Sequence, residues 1–179
     1  FYTELIYRTY MKQIISILFL FFLIISCQGN SSATDPHKEN FKTRSVDLGT
    51  LDSMETGKTY LSVYSSIYSL TEQKTHNLTV TASIRNTSLL DTVYISKARY
   101  YNSHGKMIRS YLDNPIYIAP LETVEMVIDE VDQEGGISAS FIFDWQKKLD
   151  SSEPLFEGVM ISTYGTQGLS FTTQGKRIE

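Results

Sequence analysis

The sequence predicts an all-β fold, an immunoglobulin-like antiparallel two-sheet sandwich of about seven to nine strands behind a signal helix and a flexible tether. Three observations carry this. Apolar and polar residues alternate with a period of two in stretch after stretch beyond Thr59. Turn-forming clusters separate those stretches at short intervals. No segment of that region shows the spacing of an amphipathic helix.

The chain opens with residues 1–10, which lack an initiating Met and read as upstream translation, so that Met11 is the expected true start. Lys12 then precedes a run from Ile14 to Ile25 in which every residue except Ser16 is apolar. As a helix this run extends roughly 18 Å at ~1.5 Å per residue, short of a hydrocarbon core of about 30 Å. A signal peptide fits it better than a spanning anchor. Ile24-Ile25-Ser26-Cys27 resembles the bacterial lipobox, in which an aliphatic and a small residue precede an obligatory Cys. The Cys27 thiolate is the nucleophile that takes a diacylglyceryl group, and cleavage before it frees an amine for a further acyl chain. Two or three chains, at about 0.8 kcal/mol per buried methylene, hold a protein to a bilayer where one does not. Residues 1–26 are therefore expected to be removed. With Gln28 after the acylated Cys, and no Asp there, resemblance to Gram-negative lipoproteins points to the outer membrane. In a cell with one membrane the destination is its outer face.

Residues 27–58 read as a polar tether, turn-rich through Asn30-Ser31-Ser32-Ala33-Thr34-Asp35-Pro36. Its root-mean-square reach is about 30 Å. Residues 59–179 form the expected sandwich. Its first strand sets Tyr60, Ser62, Tyr64, Ser66 and Tyr68 against Leu61, Val63, Ser65 and Ile67. Leu78, Val80, Ala82 and Ile84 face the core of the next. Val93 and Ile95 are one step out of phase with Ala98 and Tyr100, and a bulge near Ser96-Lys97 restores a common inward face. Val124, Met126 and Ile128 alternate again, as do Ile137, Ala139, Phe141, Phe143 and Trp145. Val159 and Ile161 lead into a four-residue hairpin connection, Gly165-Thr166-Gln167-Gly168, with Leu169 and Phe171 beyond it. A region of this size buries a sufficient core without metal or disulfide.

Four blocks within this region carry a resemblance. They are Val63-Tyr64-Ser65-Ser66-Ile67-Tyr68, Ile84-Arg85-Asn86-Thr87, Tyr100-Tyr101-Asn102-Ser103-His104-Gly105-Lys106 and Gly165-Thr166-Gln167-Gly168-Leu169-Ser170-Phe171. Their order and spacing are similar to those of a bacterial family of unknown function, DUF3124, from roughly Thr59 to Ile178. The resemblance implies an exported or lipid-anchored all-β domain with no established activity, and no catalytic residue to carry over.

Composition narrows the chemistry. With 41% apolar and 20% charged residues the chain is an ordinary globular one. A formal charge of −4 argues against a nucleic-acid partner, which needs a basic surface. One Cys excludes an internal disulfide and a multi-Cys zinc site. His37, His76 and His104 lack metal-site spacing, and no cofactor is expected. The acidic run Asp129, Glu130, Asp132 and Glu134 before Gly135 is a calcium candidate, but its spacing is not that of an EF-hand loop and a solvated turn between two strands explains the same residues. The nucleophile elbow of a serine hydrolase is absent. Glu125, Asp144 and Glu157 are the acids available to an envelope hydrolase.

The function expected is therefore non-catalytic. It is a lipid-anchored cell-envelope protein that binds a protein or glycan through its sandwich. The candidate surface is the Tyr60, Tyr64 and Tyr68 stripe, because tyrosine rings give contact area at low entropic cost. The loop Gly165, Thr166, Gln167 and Gly168 is the second choice. A hydrolase and a calcium-stabilised module are the alternatives.

Overall fold

The computed structural model describes residues 11–12, 40–50, 53–164 and 167–179. The chain divides into two units, Phe1–His37 and Lys38–Glu179, and the β-sandwich is the second. The lipobox with Cys27 lies outside the described residues. Among those residues no helix is long and apolar enough to cross a membrane.

Among the described residues twelve strands follow one another: β1 Met54–Val63, β2 Ser66–Ser69, β3 Thr71–Asn77, β4 Thr79–Arg85, β5 Val93–Tyr101, β6 Met107–Ser110, β7 Ile116–Ile118, β8 Thr123–Ile128, β9 Ala139–Lys148, β10 Leu155–Tyr164, β11 Gln167–Gln174 and β12 Lys176–Arg177. The count exceeds the expected seven to nine because β2, β6, β7 and β12 are short pieces on the rims. One sheet has the order β12-β1-β9-β5-β6, with β7 also on β5; the other is β11-β10-β4-β8. All pairings are antiparallel, and β2 and β3 form a separate ribbon.

The expected alternation decides which side of each strand is dry. On β9, Ala139, Phe141, Phe143 and Trp145 are buried while Ser140, Ile142, Asp144 and Gln146 face outward. On β5 the register shifts between Ile95 and Lys97, and Val93, Ile95, Ala98 and Tyr100 are all fully buried. The bulge therefore sits where the change of phase required it. A chain of rings joins the layers. Tyr100 meets Phe141 at 5.0 Å, Phe141 stacks on Phe143 at 5.3 Å, and Phe143 reaches Phe156 of the facing sheet at 4.9 Å. Each such pair adds about 0.5–1.5 kcal/mol beyond the area it buries.

Part of the expected tether belongs to the domain. A 3-10 turn at Phe41–Arg44 leads into Ser45, which bridges Ile116, and Val46 N donates to the Pro115 carbonyl at 2.9 Å. β1 begins at Met54, ahead of the expected boundary at Thr59. Two placements explain why. Gly57 lies beneath Trp145, where an added Cβ would come within 2.2 Å of the indole. That indole Nε1 donates to Thr59 Oγ1 at 2.9 Å.

The strand expected to carry three tyrosines is broken after Val63. Ser65 is buried, donates its hydroxyl to the Gly136 carbonyl at 2.7 Å, and accepts from Leu78 N at 2.9 Å. A residue held on both sides in this way cannot continue the β1 ladder.

Asn86, at the crossing from β4 to β5, is buried and fully bonded. Its Nδ2 lies 2.8 Å from Asp91 O and 3.0 Å from both Ile118 O and Ala119 O, while its Oδ1 accepts from Ser88 N at 3.0 Å. Asn86→Ala leaves those carbonyls without their donor, and we expect a loss of about 3 kcal/mol. Gly57→Ala is expected to cost about 1–3 kcal/mol through the forced shift of Trp145. Urea unfolding midpoints at unchanged slope measure both.

Candidate functional site

The outer face of the six-stranded sheet is the candidate. Register places Tyr60 beside Ile142 and Ile142 beside Arg99. On one side of that row lie Ser62, Ser140 and Tyr101; on the other lie Lys58, Asp144 and Lys97, then Thr56, Gln146, Tyr94 and Tyr117. Side chains in such rows are near neighbours on one surface. Four tyrosines from three strands thus share a face with an ion cluster. Arg99 pairs with Asp144, Lys58 lies 4.0 Å from the same carboxylate, and Lys58 also pairs with Glu179. A depression of about 290 Å³ opens among Lys58, Lys97, Asp144, Gln146 and Glu179.

Only one of the three predicted tyrosines belongs to this face. Tyr60 is on it, 41% exposed. Tyr64 turns to meet Phe171 edge-on at 5.7 Å and packs against the core. Tyr68 is exposed on the β2–β3 ribbon. The stripe is therefore not one surface, because the break at Ser65 separates its members. Tyr94, Tyr101 and Tyr117 take their place. Their signal was available in the outward phase of β5, but Tyr117 needed the β5–β7 register, which no local pattern gives.

The other expected sites are distributed over the fold. Gly165 and Thr166 lie outside the described residues. Gln167 and Gly168 already belong to β11, paired with Tyr164 and Thr163, so two residues rather than four separate the paired strands. Glu125 and Glu157 flank Ser83 on the outer face of the four-stranded sheet. The Ser83 hydroxyl is 3.3 Å from Glu125, and Arg85 pairs with Glu157 at 2.8 Å. Asp144 is on the other sheet, so the three acids do not meet. Asp132 and Glu134 bind Arg109 at 2.6 and 3.0 Å, while Asp129 and Glu130 remain in the turn. Among the described residues no group of three or more metal-binding side chains forms. His76 is on β3 and His104 in the β5–β6 turn.

Two polar constructions were not foreseen. Arg109 sits over the rings of Tyr100 and Tyr111, at 5.7 and 5.9 Å, closing the sandwich edge. Burial opposes its charge, yet the bonds to Asp132 and Glu134 hold its pKa above the usual value. Burial pushes the Tyr100 phenol up to about 12, and Asp132 pushes in the same direction. Tyr111 is raised by burial as well. At the opposite end Lys147, 3% exposed, pairs with Glu55 at 2.6 Å and donates to the Lys148 and Leu149 carbonyls at 3.3 and 3.2 Å. Glu55 also binds Arg177 at 2.8 Å, and the bonds from Lys147 and then Arg177 hold its carboxyl below the usual range. Lys147 continues the inward phase of Phe143 and Trp145, which was a legible sign that this charge would be enclosed.

The geometry defines an antiparallel β-sandwich module with one open, tyrosine-bearing sheet. The chain belongs to the family described as protein of unknown function DUF3124, whose sequence model matches residues 56–178. No curated protein matches the chain. Among solved structures it is similar to "Crystal Structure of Thermotoga maritima 1070", at 12% identity and a TM-score of 0.43, over 67% of this chain and 92% of that one.

The Tyr100 shift sets a pH window. Unfolded tyrosine loses its proton near 10 and the folded one near 12, so the unfolded state binds fewer protons between those values and stability falls as pH rises. Chemical unfolding from pH 9 to 12 should show that decline, and Tyr100→Phe should lessen it, with Tyr111 supplying part of what remains.

Proposed function

We propose that this protein is a non-catalytic, lipid-anchored component of the bacterial cell envelope, held by an acylated Cys27, whose sandwich binds a protein or glycan partner. The outer membrane is its location in a Gram-negative cell. The observation that carries the binding reading is the open face of the six-stranded sheet, where Tyr60, Tyr94, Tyr101 and Tyr117 stand among Ile142, Ser140 and Gln146. Rigid rings interspersed with small polar groups combine contact area with adaptable hydrogen bonding. The Asp144 cluster adds fixed charges at its centre, and charge complementarity contributes to partner choice.

The hydrolase alternative draws less support. Its acids lie on two different outer faces, and Asp144 is engaged by Arg99 and Lys58. The calcium alternative competes with Arg109 for Asp132 and Glu134.

A photo-crosslinking residue at Tyr60 or Tyr101 in the cell-borne protein tests the binding face. A discrete protein adduct, or attachment to the cell-wall polymer, is the expected result. Tyr94→Ala with Tyr117→Ala should weaken that adduct severalfold in a chain that still folds. Equal yields from a probe at Ser170, on the opposite outer face, would sink the assignment. Mass spectrometry of the N-terminal peptide tests the anchor separately, and an unmodified Cys27 thiol would remove it.

A further inference from the structure

The strand registers bring three loops to one end of the sandwich. β4 ends where β8 and β10 begin, since Arg85 pairs with Thr123 and Leu155. β5 begins where β7 ends, with Val93 opposite Ile118, and β9 ends at Lys148 opposite Met54. The connections at this pole are residues 86–92, 119–122 and 149–154. Each presents leucine to solvent: Leu89 and Leu90 are 74% and 87% exposed, Leu121 66% and Leu149 61%. Leu121 is held at a φ of 61°, a conformation that leucine disfavours.

These loops are fixed to one another. Leu121 N donates to Ser88 O at 3.2 Å, and Thr87 Oγ1 donates to Glu153 O at 3.2 Å. Asn86 joins the first loop to the second, Lys148 pairs with Asp91 at 2.7 Å, and Lys147 holds the Leu149 carbonyl. Three of the four acids here are ion-paired, Asp91 with Lys148, Glu122 with Arg44 and Glu153 with Arg177, while Asp150 is exposed beside Leu149. We propose that this leucine crown is a lipid-contacting surface that inserts shallowly into the headgroup region of a bilayer. Well-exposed side chains on separate convex tips match a deformable apolar phase better than a rigid protein pocket. At the opposite pole the exposed Leu70 and Val131 stand with Glu72, Asp129 and Glu130, acids that an anionic bilayer repels.

Chain length favours the same occupant. Residues 28–39 alone separate Cys27 from the domain's first described residue, Asn40, a span of at most about 45 Å. This proximity rests on the acylated-Cys27 reading; the lipid contact itself does not.

The test uses the full chain with Cys27→Ser and one introduced cysteine, Leu90→Cys or Leu70→Cys. Each carries an environment-sensitive fluorophore and is mixed with vesicles of phosphatidylethanolamine and phosphatidylglycerol. Unchanged urea midpoints confirm that both labelled chains fold. The expected result is flotation with the vesicles, blue-shifted emission at position 90 roughly halved by nitroxide lipids, and a water-like label at position 70. A floated chain with a water-like label at 90 overturns the crown and leaves attachment through the leader standing. A chain that does not float, or a label buried at 70 instead, also overturns it. Acylation at Cys27 is judged independently by mass spectrometry.

Discussion

The side-chain amide of Asn86 is the interaction on which most of this architecture depends. β4 belongs to one sheet and β5 to the other, so the chain must cross between layers at this point. A crossing buries backbone carbonyls that have no ladder partner, and such groups must be satisfied from elsewhere. One amide meets the carbonyls of Asp91, Ile118 and Ala119, and its own oxygen takes Ser88 N. The starts of β5 and β8 and the end of β7 are thereby fixed together. The loops that carry Leu89, Leu90 and Leu121 inherit their positions from the same residue.

Period-two patterning was enough to identify the class of fold and most of its core. Phe141, Phe143 and Trp145, or Val80, Ala82 and Ile84, are buried because a strand between two sheets has one dry side. The bulge at Ser96-Lys97 was legible for the same reason, since only an extra residue reconciles Ile95 with Ala98. The alternation failed where a tertiary contact outweighed it. Tyr64 keeps the outward phase on paper, yet Ser65 is captured by Gly136 and Leu78, and the ring turns to Phe171. A hydrogen bond to a residue far along the chain leaves no trace in local spacing.

The surface was harder to read than the core for a related reason. An outward tyrosine is identified by its own strand, but a face is a property of several strands in register. Tyr60, Tyr101 and Tyr94 become neighbours only through β9, and Tyr117 only through β5. Residues 40–46 lacked a recognisable period because they pack by individual contacts, as Ser45 does on Ile116, and the start of β1 lacked one because Gly57 and Thr59, not apolar side chains, take its inward positions. The buried Lys147 was visible in phase but not in partner, since Glu55 and the Leu149 carbonyl arrive from other segments.

The short β12 has a consequence for solubility. Lys176 and Arg177 occupy the outer side of β1 at Tyr60 and Thr59, and Lys58 exchanges backbone bonds with Ile178 and Glu179. An unpaired strand margin is a template for another chain. Here residues 176–179 of the same chain close it, with Arg177 laid over Trp145 at 5.0 Å as a clasp. Peeling that short segment away would turn a self-contained body into one able to join a neighbour margin to margin.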